Sequence, residues 1–353
     1  MKLVRTLTAG FALAALALTA ACGSGDDSAA SPTSAAAGTP AKAPELRLGY
    51  FANVTHASAV YGVAQGTFQQ SLGSTKLTTS VFNAGPAAIE AMAGGAIDAS
   101  FIGPNPSITG FANSGGKLLR IVAGTTYGGA SLVVKPTITD VSQLAGKKVA
   151  TPQLGNTQDV AAKEYFKQNG VNGVNILNQD NAISLDLLKR GEIDGAWVPE
   201  PWASRLVIDG GGKELIDESS LWPAGKFVTT QLIVSQKFLS QYPGSVEDLL
   251  KGLIAATDAV STKSPEAQKV VNDQITKDTG KGLSAAVLTA SFAKLTPTLD
   301  PVASSLAKSA KDAADVGVSK SNPDLKGIYD LKPLNALLKA AGKPAVSDEN
   351  LGV

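Results

Sequence analysis

The chain has 353 residues, enough for two domains, and 44% of them are apolar, so a sizeable core can be buried. A formal net charge of +1 gives no electrostatic reason to expect a nucleic-acid partner. One cysteine and one histidine exclude an intrachain disulfide and speak against a Cys/His metal site.

Lys2 and Arg5 precede an apolar stretch, Leu7 to Ala21, that is too short and too rich in small residues for a secure membrane span. Residues 1–21 therefore read as an export signal. Leu18-Thr19-Ala20-Ala21-Cys22 resembles the lipobox of bacterial lipoproteins, which implies a lipidated Cys22 holding the chain at the outer face of the cytoplasmic membrane. Residues 22–44 are mostly Ser, Ala, Gly, Pro and Thr, cannot bury enough apolar surface to fold, and read as a disordered tether. As a coil it would span about 25 Å.

From residue 45 onward, short β patterns alternate with helical ones. Strands are expected at 45–50, 76–82, 97–102 and 118–123, and helices at 56–70, 86–94 and 104–113. A strand at 130–135 reads as the crossover to a second unit. There the expected strands are 148–151, 174–177, 193–198 and 213–216, and the helices run to 168, over 182–190 and to 207. Residues 227–235 return the chain to the first unit, and the pattern from Lys237 onward is helical. The alternation predicts βαβ units and two α/β lobes with mainly parallel sheets. Lobe 1 is expected at 45–132 and 230–353, lobe 2 at 133–229, with a hinge of two strands between them.

One pattern occurs twice. Gly95-Ala96-Ile97-Asp98 and Gly191-Glu192-Ile193-Asp194 each follow a helical segment and lead into a short apolar run and then a proline. The glycine stops the helix and the apolar run fits a buried strand. Asp98 and Asp194 read as strand-start residues. The carboxyl end of each strand then faces the next helix, the place where open α/β sheets bind ligands.

The order of Leu48-Gly49-Tyr50-Phe51, Asn83-Ala84-Gly85-Pro86, Gly95 to Asp98, Leu144 to Ala150 and Gly191 to Trp202 resembles the nitrate, sulfonate and taurine substrate-binding proteins of ABC importers. The resemblance implies a type II periplasmic-binding-protein fold, a monomer, and a membrane permease with its ATPase as partners. It implies ligand contacts at Phe51, Asn53 and His56, at Gly85, Pro86 and Ala87, and at Gly103, Pro104 and Asn105. In the second lobe it places them at Gly155, Asn156, Thr157 and Gln158, and at Glu200 and Trp202.

The residue chemistry fits a small organic anion, an aliphatic sulfonate first, with nitrate, bicarbonate, taurine or a thiamine-precursor pyrimidine as alternatives. Helix starts at Pro86, Pro104 and Asn156 offer backbone N–H groups to an oxyanion. Asn105, Thr125, Thr157 and Gln158 add side-chain donors. Trp197 or Trp202 can cover an alkyl tail, although Trp197 also reads as core. Glu200 either meets an amine or caps a helix. His56 either lines the cleft or sits on the polar surface. No nucleophile with a neighbouring base is evident, so no catalytic residue, cofactor or metal is expected. An enzyme on the same fold would be expected to need histidines or a cysteine cluster. A regulator's sensor domain would need a DNA-binding helix pair where the export signal stands.

Overall fold

The computed structural model describes residues 40–353. The expected export signal, Cys22 and residues 22–39 of the expected tether lie outside the described residues. Residues 40–44 are docked rather than free. Ala43 is buried, its amide donates to Ser245 Oγ at 2.8 Å, and Lys42 pairs with Asp248 at 2.7 Å.

The first pass through lobe 1 gives β1 (Glu45–Tyr50), α1 (Ala57–Ala64), α2 (Thr67–Leu72), β2 (Lys76–Val81), α3 (Gly85–Ala93), β3 (Ala99–Ile102), α4 (Pro104–Asn113) and β4 (Leu119–Gly128). Lobe 2 holds β5 (Ala130–Val134), β6 (Lys148–Thr151), α5 (Thr157–Gln168), β7 (Asn175–Asn178), α6 (Asn181–Lys189), β8 (Gly195–Pro199), α7 (Trp202–Ile208) and β9 (Lys213–Asp217). The return to lobe 1 adds β10 (Val228–Ser235), α8 (Gln236–Gln241), α9 (Pro243–Ser261), α10 (Pro265–Thr279), α11 (Ala285–Lys294), β11 (Leu295–Pro297), α12 (Ala303–Asp315) and α13 (Lys332–Ala340). The expected helix at 56–70 is broken at Gly66, which takes a left-handed φ of 66° between α1 and α2.

The two sheets have strand orders β11-β4-β10-β3-β1-β2 and β7-β6-β8-β5-β9. Both are mixed, where the pattern suggested mainly parallel sheets. β1, β2 and β3 pair in parallel, as do β6, β7 and β8. The reversed strands in the middle are β10 in the first sheet and β5 in the second. Each of them enters from the other lobe, starts at the cleft, and so must run against the strands that end there. β11 is a third reversed strand, at the edge beside β4, where a helical pattern was expected. The chain passes between the sheets at Gly128-Gly129, both with positive φ, so Ala130–Val134 is an inner strand of sheet 2 rather than a connection.

Each sheet buries both faces. In the first, Leu46, Leu48 and Phe101 pack under α9, while Ile102, Ile121 and Ile233 pack on the other side. In the second, Leu132, Val134 and Trp197 face α5, while Val133, Ala196 and Val198 face α6 and α7. The period of two places alternate residues on opposite faces. Trp197 is therefore core, fully buried, with its Nε1 donating to Glu218 Oε2 at 2.7 Å.

The repeated Gly-x-Ile-Asp pattern is architecture in both lobes. Gly95 and Gly191 have φ of 73° and 72°. Asp98 exchanges two bonds with Arg47 in β1: its amide donates to the Arg47 carbonyl (2.8 Å), and its carboxylate accepts the Arg47 amide (2.9 Å). Asp194 does the same with Lys148 in β6, at 2.8 and 3.0 Å. A cation completes each, Arg47 at 2.6 Å and Lys135 at 2.9 Å. The aspartate thus adds one rung to the ladder before β3 and β8 begin.

Candidate functional site

The carboxyl ends of the parallel strands face each other across a narrow cleft, as the placement rule for α/β sheets requires. Lobe 1 contributes Phe51, Asn53, Thr55 and His56 after β1, Asn83 after β2, Gly103 after β3 and Thr229 from β10. Lobe 2 contributes Pro152 and Asn156–Gln158 after β6, Asn181 after β7 and Pro199 at the end of β8. Together they enclose a cavity of about 20 Å³, room for roughly one water. No Lys, Arg, Asp or Glu lines it.

The donors are built from the local sequence. α5 starts at Thr157 with Asn156 as its cap, so the positive end of a 12-residue helix points at the cavity. The loop before it is held from behind by Asp159, fully buried, which accepts from Thr151 Oγ1, the Gly155 amide and Asn178 Nδ2 at 2.9–3.1 Å and pairs with Lys163 at 2.7 Å. Thr157 Oγ1 and Asn181 Oδ1 are buried with no partner in the protein.

His56 is buried, stacked on Phe51 at 4.3 Å between ring centroids. Burial pushes its pKa down to about 3, so the ring is neutral at pH 7. Its Nδ1 accepts the Phe51 amide at 3.3 Å, which places the proton on Nε2 and makes that nitrogen a donor.

Of the residues implied by the sequence, Phe51, Asn53, His56, Gly103, Asn156, Thr157 and Gln158 are brought together around this cavity. The others are not. Gly85, Pro86 and Ala87 open α3, whose start packs on α4; a Cβ on Gly85 would lie 2.3 Å from Pro106. Pro104 begins α4, and Asn105 Nδ2 is committed to the Ser309 carbonyl at 3.1 Å. Thr125 is buried in β4, and Gly155 serves the turn held by Asp159.

Glu200 is sealed. It is 1% exposed, and its carboxylate accepts from the Ser204 amide (3.2 Å), Ser204 Oγ (3.0 Å) and Ser291 Oγ (2.9 Å). Of the two readings open in the sequence, this is the cap, made at the first turn of α7. Burial raises its pKa, partly offset by these donors. Trp202 lies at the cleft mouth: its Nε1 donates to Asn53 Oδ1 at 3.1 Å, and Arg205 stacks on its ring at 4.6 Å.

Thr55, Asn83, Pro152, Asn181, Pro199 and Thr229 also line the cavity. A sequence signal existed for Asn181, which begins α6 just past the end of β7 as Asn156 precedes α5 past β6. None existed for Thr229, which reaches the cleft only because β10 is inserted beside β3.

Two sheet-centred lobes that meet at a polar cleft along their strand ends define a two-lobed α/β fold of the periplasmic-binding-protein type. The chain belongs to the NMT1-like family, whose model matches residues 39–275. It is 27% identical over 196 residues to the taurine-binding periplasmic protein of Escherichia coli (strain K12), a match spanning 55% of this chain and 60% of that protein. Its structure resembles the alkanesulfonate-binding protein of Xanthomonas axonopodis pv. citri bound to MOPS (TM-score 0.67, 22% identity, 79% of this chain and 93% of that one). It also resembles the periplasmic nitrate-binding protein of Synechocystis PCC 6803 (TM-score 0.70, 14% identity, 87% and 91%).

Proposed function

We propose that this protein is the solute-binding component of an ABC importer. It captures a small organic anion, an aliphatic sulfonate first, and delivers it to a membrane permease driven by an ATPase. The observation that carries the reading is the uncharged cavity between the lobes, supplied with the amino end of α5, the His56 Nε2–H and the Thr157 hydroxyl. Such donors hold an oxyanion without a cationic side chain.

Capture works by closure. Lobe 1 offers the loop after β1 and lobe 2 offers α5, so both touch one ligand only when the lobes face each other about it. At about 20 Å³ the cavity is filled by one water, so an oxyanion head is held with the lobes slightly further apart than here. A ligand shifts the equilibrium by its extra affinity for the closed form. The protein performs no chemistry on its cargo, works as a monomer, and is held at the outer face of the cytoplasmic membrane by a lipid on Cys22.

A thermal-shift series with alkanesulfonates, taurine, nitrate, bicarbonate and pyrimidine precursors tests the ligand class. An upward shift with alkanesulfonates is expected. No shift with any sulfonate, beside a large one with nitrate or a pyrimidine, would overturn the sulfonate assignment. Turnover of any bound ligand would overturn the binding-protein reading.

A further inference from the structure

The chain crosses between the lobes twice, and the second crossing, residues 218–227, carries a buried carboxylate. Glu218 opens the single helical turn Glu218–Leu221 directly after β9 and is 1% exposed. Its Oε2 accepts from Trp197 Nε1 in the lobe 2 core at 2.7 Å, and its Oε1 has no hydrogen-bond partner in the protein. A buried oxygen left unpaired is costly, and far more so on an ionised carboxylate.

The crossing connects this group to lobe 1 and to the cleft. Trp222 stacks on Phe227 at 5.6 Å between ring centroids, and the Lys308 ammonium of α12 lies over the Trp222 ring at 4.6 Å. The Phe227 carbonyl accepts the Gly128 amide at 3.0 Å, so the two crossings are bonded to each other. The Thr229 hydroxyl donates to the Gly128 carbonyl, and Thr229 lines the cavity. A shift of the turn at Glu218 is therefore passed through two stacked rings to the crossing point and the cleft wall.

The charges around Glu218 do not neutralise it. Lys308 draws on it but is paired with Asp312 at 2.5 Å. Asp217, one residue earlier, repels it and is engaged at 2.8 Å by Lys294 of α11, which also holds Glu214 at 2.7 Å. From α5, Tyr165 packs on the Trp197 ring at 5.4 Å. Both neighbouring cations are thus committed elsewhere. Burial pushes the Glu218 carboxyl up to about 7, and the Trp197 and Trp222 indoles and Lys308 hold back part of the rise.

We propose that Glu218 is a proton-operated switch in the hinge: neutral, it seats the second crossing with the lobes together, and ionised, it releases that crossing and weakens capture of the solute. This rests on the solute-binding reading above and adds regulation to it. An ionised Glu218 draws the turn toward water and Lys308, which disturbs the Trp222–Phe227 stack. In the open form water reaches the carboxylate and its pKa falls back toward the ordinary range. Closure then takes up a proton, and affinity falls as pH rises to about 7 and levels off above it. His56 acts in the opposite sense below about pH 6.5, so the effect is isolated by comparing wild type with a Glu218 variant at each pH.

The test is calorimetric titration of the full-length protein and Glu218→Gln with an alkanesulfonate series at about pH 5.5 and about pH 8.5. The amide keeps an acceptor for Trp197, and circular dichroism checks that the variant is folded. A one-unit fall in the Glu218 pKa on opening makes Glu218→Gln about tenfold tighter than wild type near pH 8.5 and about equal to it near pH 5.5. An affinity ratio that is the same at both pH values, whatever its size, overturns the switch and leaves the binding reading standing. If no sulfonate binds, the sulfonate assignment fails, and small-angle scattering of the two ligand-free proteins decides the switch. A more compact Glu218→Gln near pH 8.5 then supports it, and equal profiles at both pH values overturn it.

Discussion

Gly103 of lobe 1 lies so close to Thr157 of lobe 2 that a Cβ on the glycine would stand 2.6 Å from the threonine Oγ1. The glycine has an ordinary φ of −75°, so its small size is needed for the close approach and not for its own backbone. Gly103→Ala should wedge the lobes apart. Overpacking of this kind costs about 1–3 kcal/mol, which falls on the closed form alone and weakens ligand binding about fivefold or more. The melting temperature of the free protein should hardly move, because the open form accommodates the methyl. Small-angle scattering with saturating ligand should show a more extended particle than wild type. Wild-type compaction in Gly103→Ala would contradict the closure argument.

Trp202 and Asn53 make the latch at the mouth. Trp202→Phe keeps most of the ring and removes the donor to Asn53. Loss of one neutral hydrogen bond is worth about 1 kcal/mol, so affinity should fall about fivefold, chiefly through faster ligand release. Stopped-flow displacement measures this directly. A slower on-rate with an unchanged off-rate would argue against a latch.

Glu218 and His56 give opposite pH dependences. Burial raises Glu218 from 4.5 to about 7. A raised folded pKa contributes stability that is full below about pH 4.5 and lost as pH rises through 7. Burial lowers His56 from 6.5 to about 3. Its contribution is full above about pH 6.5 and lost as pH falls toward 3. Between about pH 4.5 and 6.5 the two slopes oppose each other. Glu218→Gln keeps an acceptor for Trp197 and should gain up to about 3 kcal/mol over wild type near pH 8, with no gain near pH 4. His56→Gln should flatten the acid limb. Urea unfolding across this range checks both, and an equal gain at both ends of the range for Glu218→Gln would contradict the burial argument.

Asp98→Ala should cost about 1–2 kcal/mol, mainly the acceptor of the part-buried Arg47 amide, and Asp194→Ala less, about 1 kcal/mol, because the Lys148 amide it serves is exposed and the partly exposed ion pairs add little. Urea unfolding reads the loss. Ligand affinity should be unchanged once the protein is folded; a large affinity loss would mean the strand starts also position the cleft.

Much of the fold was legible in the sequence because it rests on local rules. Glycines at 95 and 191 stop helices, apolar runs mark buried strands, and prolines or Ser and Asn open helices. What failed were the non-local features. β10 and β5 are reversed because of where the chain enters each sheet, and nothing within eight residues records that. β11 is three residues long and exists only because β4 offers an edge. In the cleft, the loop after β1, Gly103 and the start of α5 came from the family resemblance, and the structure sets all three at strand ends, where open α/β sheets bind ligands. Asn105 does not join them, because Ser309 lies more than two hundred residues away and claims its side chain. Glu200 and Trp202 stand two residues apart, yet one seals the start of α7 and the other reaches the mouth. That division depends on α11, which brings Ser291 to the carboxylate.

The central claim is that this cleft captures an oxyanion-headed solute by closing on it. Calorimetric titration of the wild-type protein and Gly103→Ala with an alkanesulfonate series tests it most directly. Saturable binding at one site per chain is predicted for wild type, weakened at least about fivefold in Gly103→Ala. No saturable heat with any sulfonate, or equal affinity in the two proteins, would contradict it.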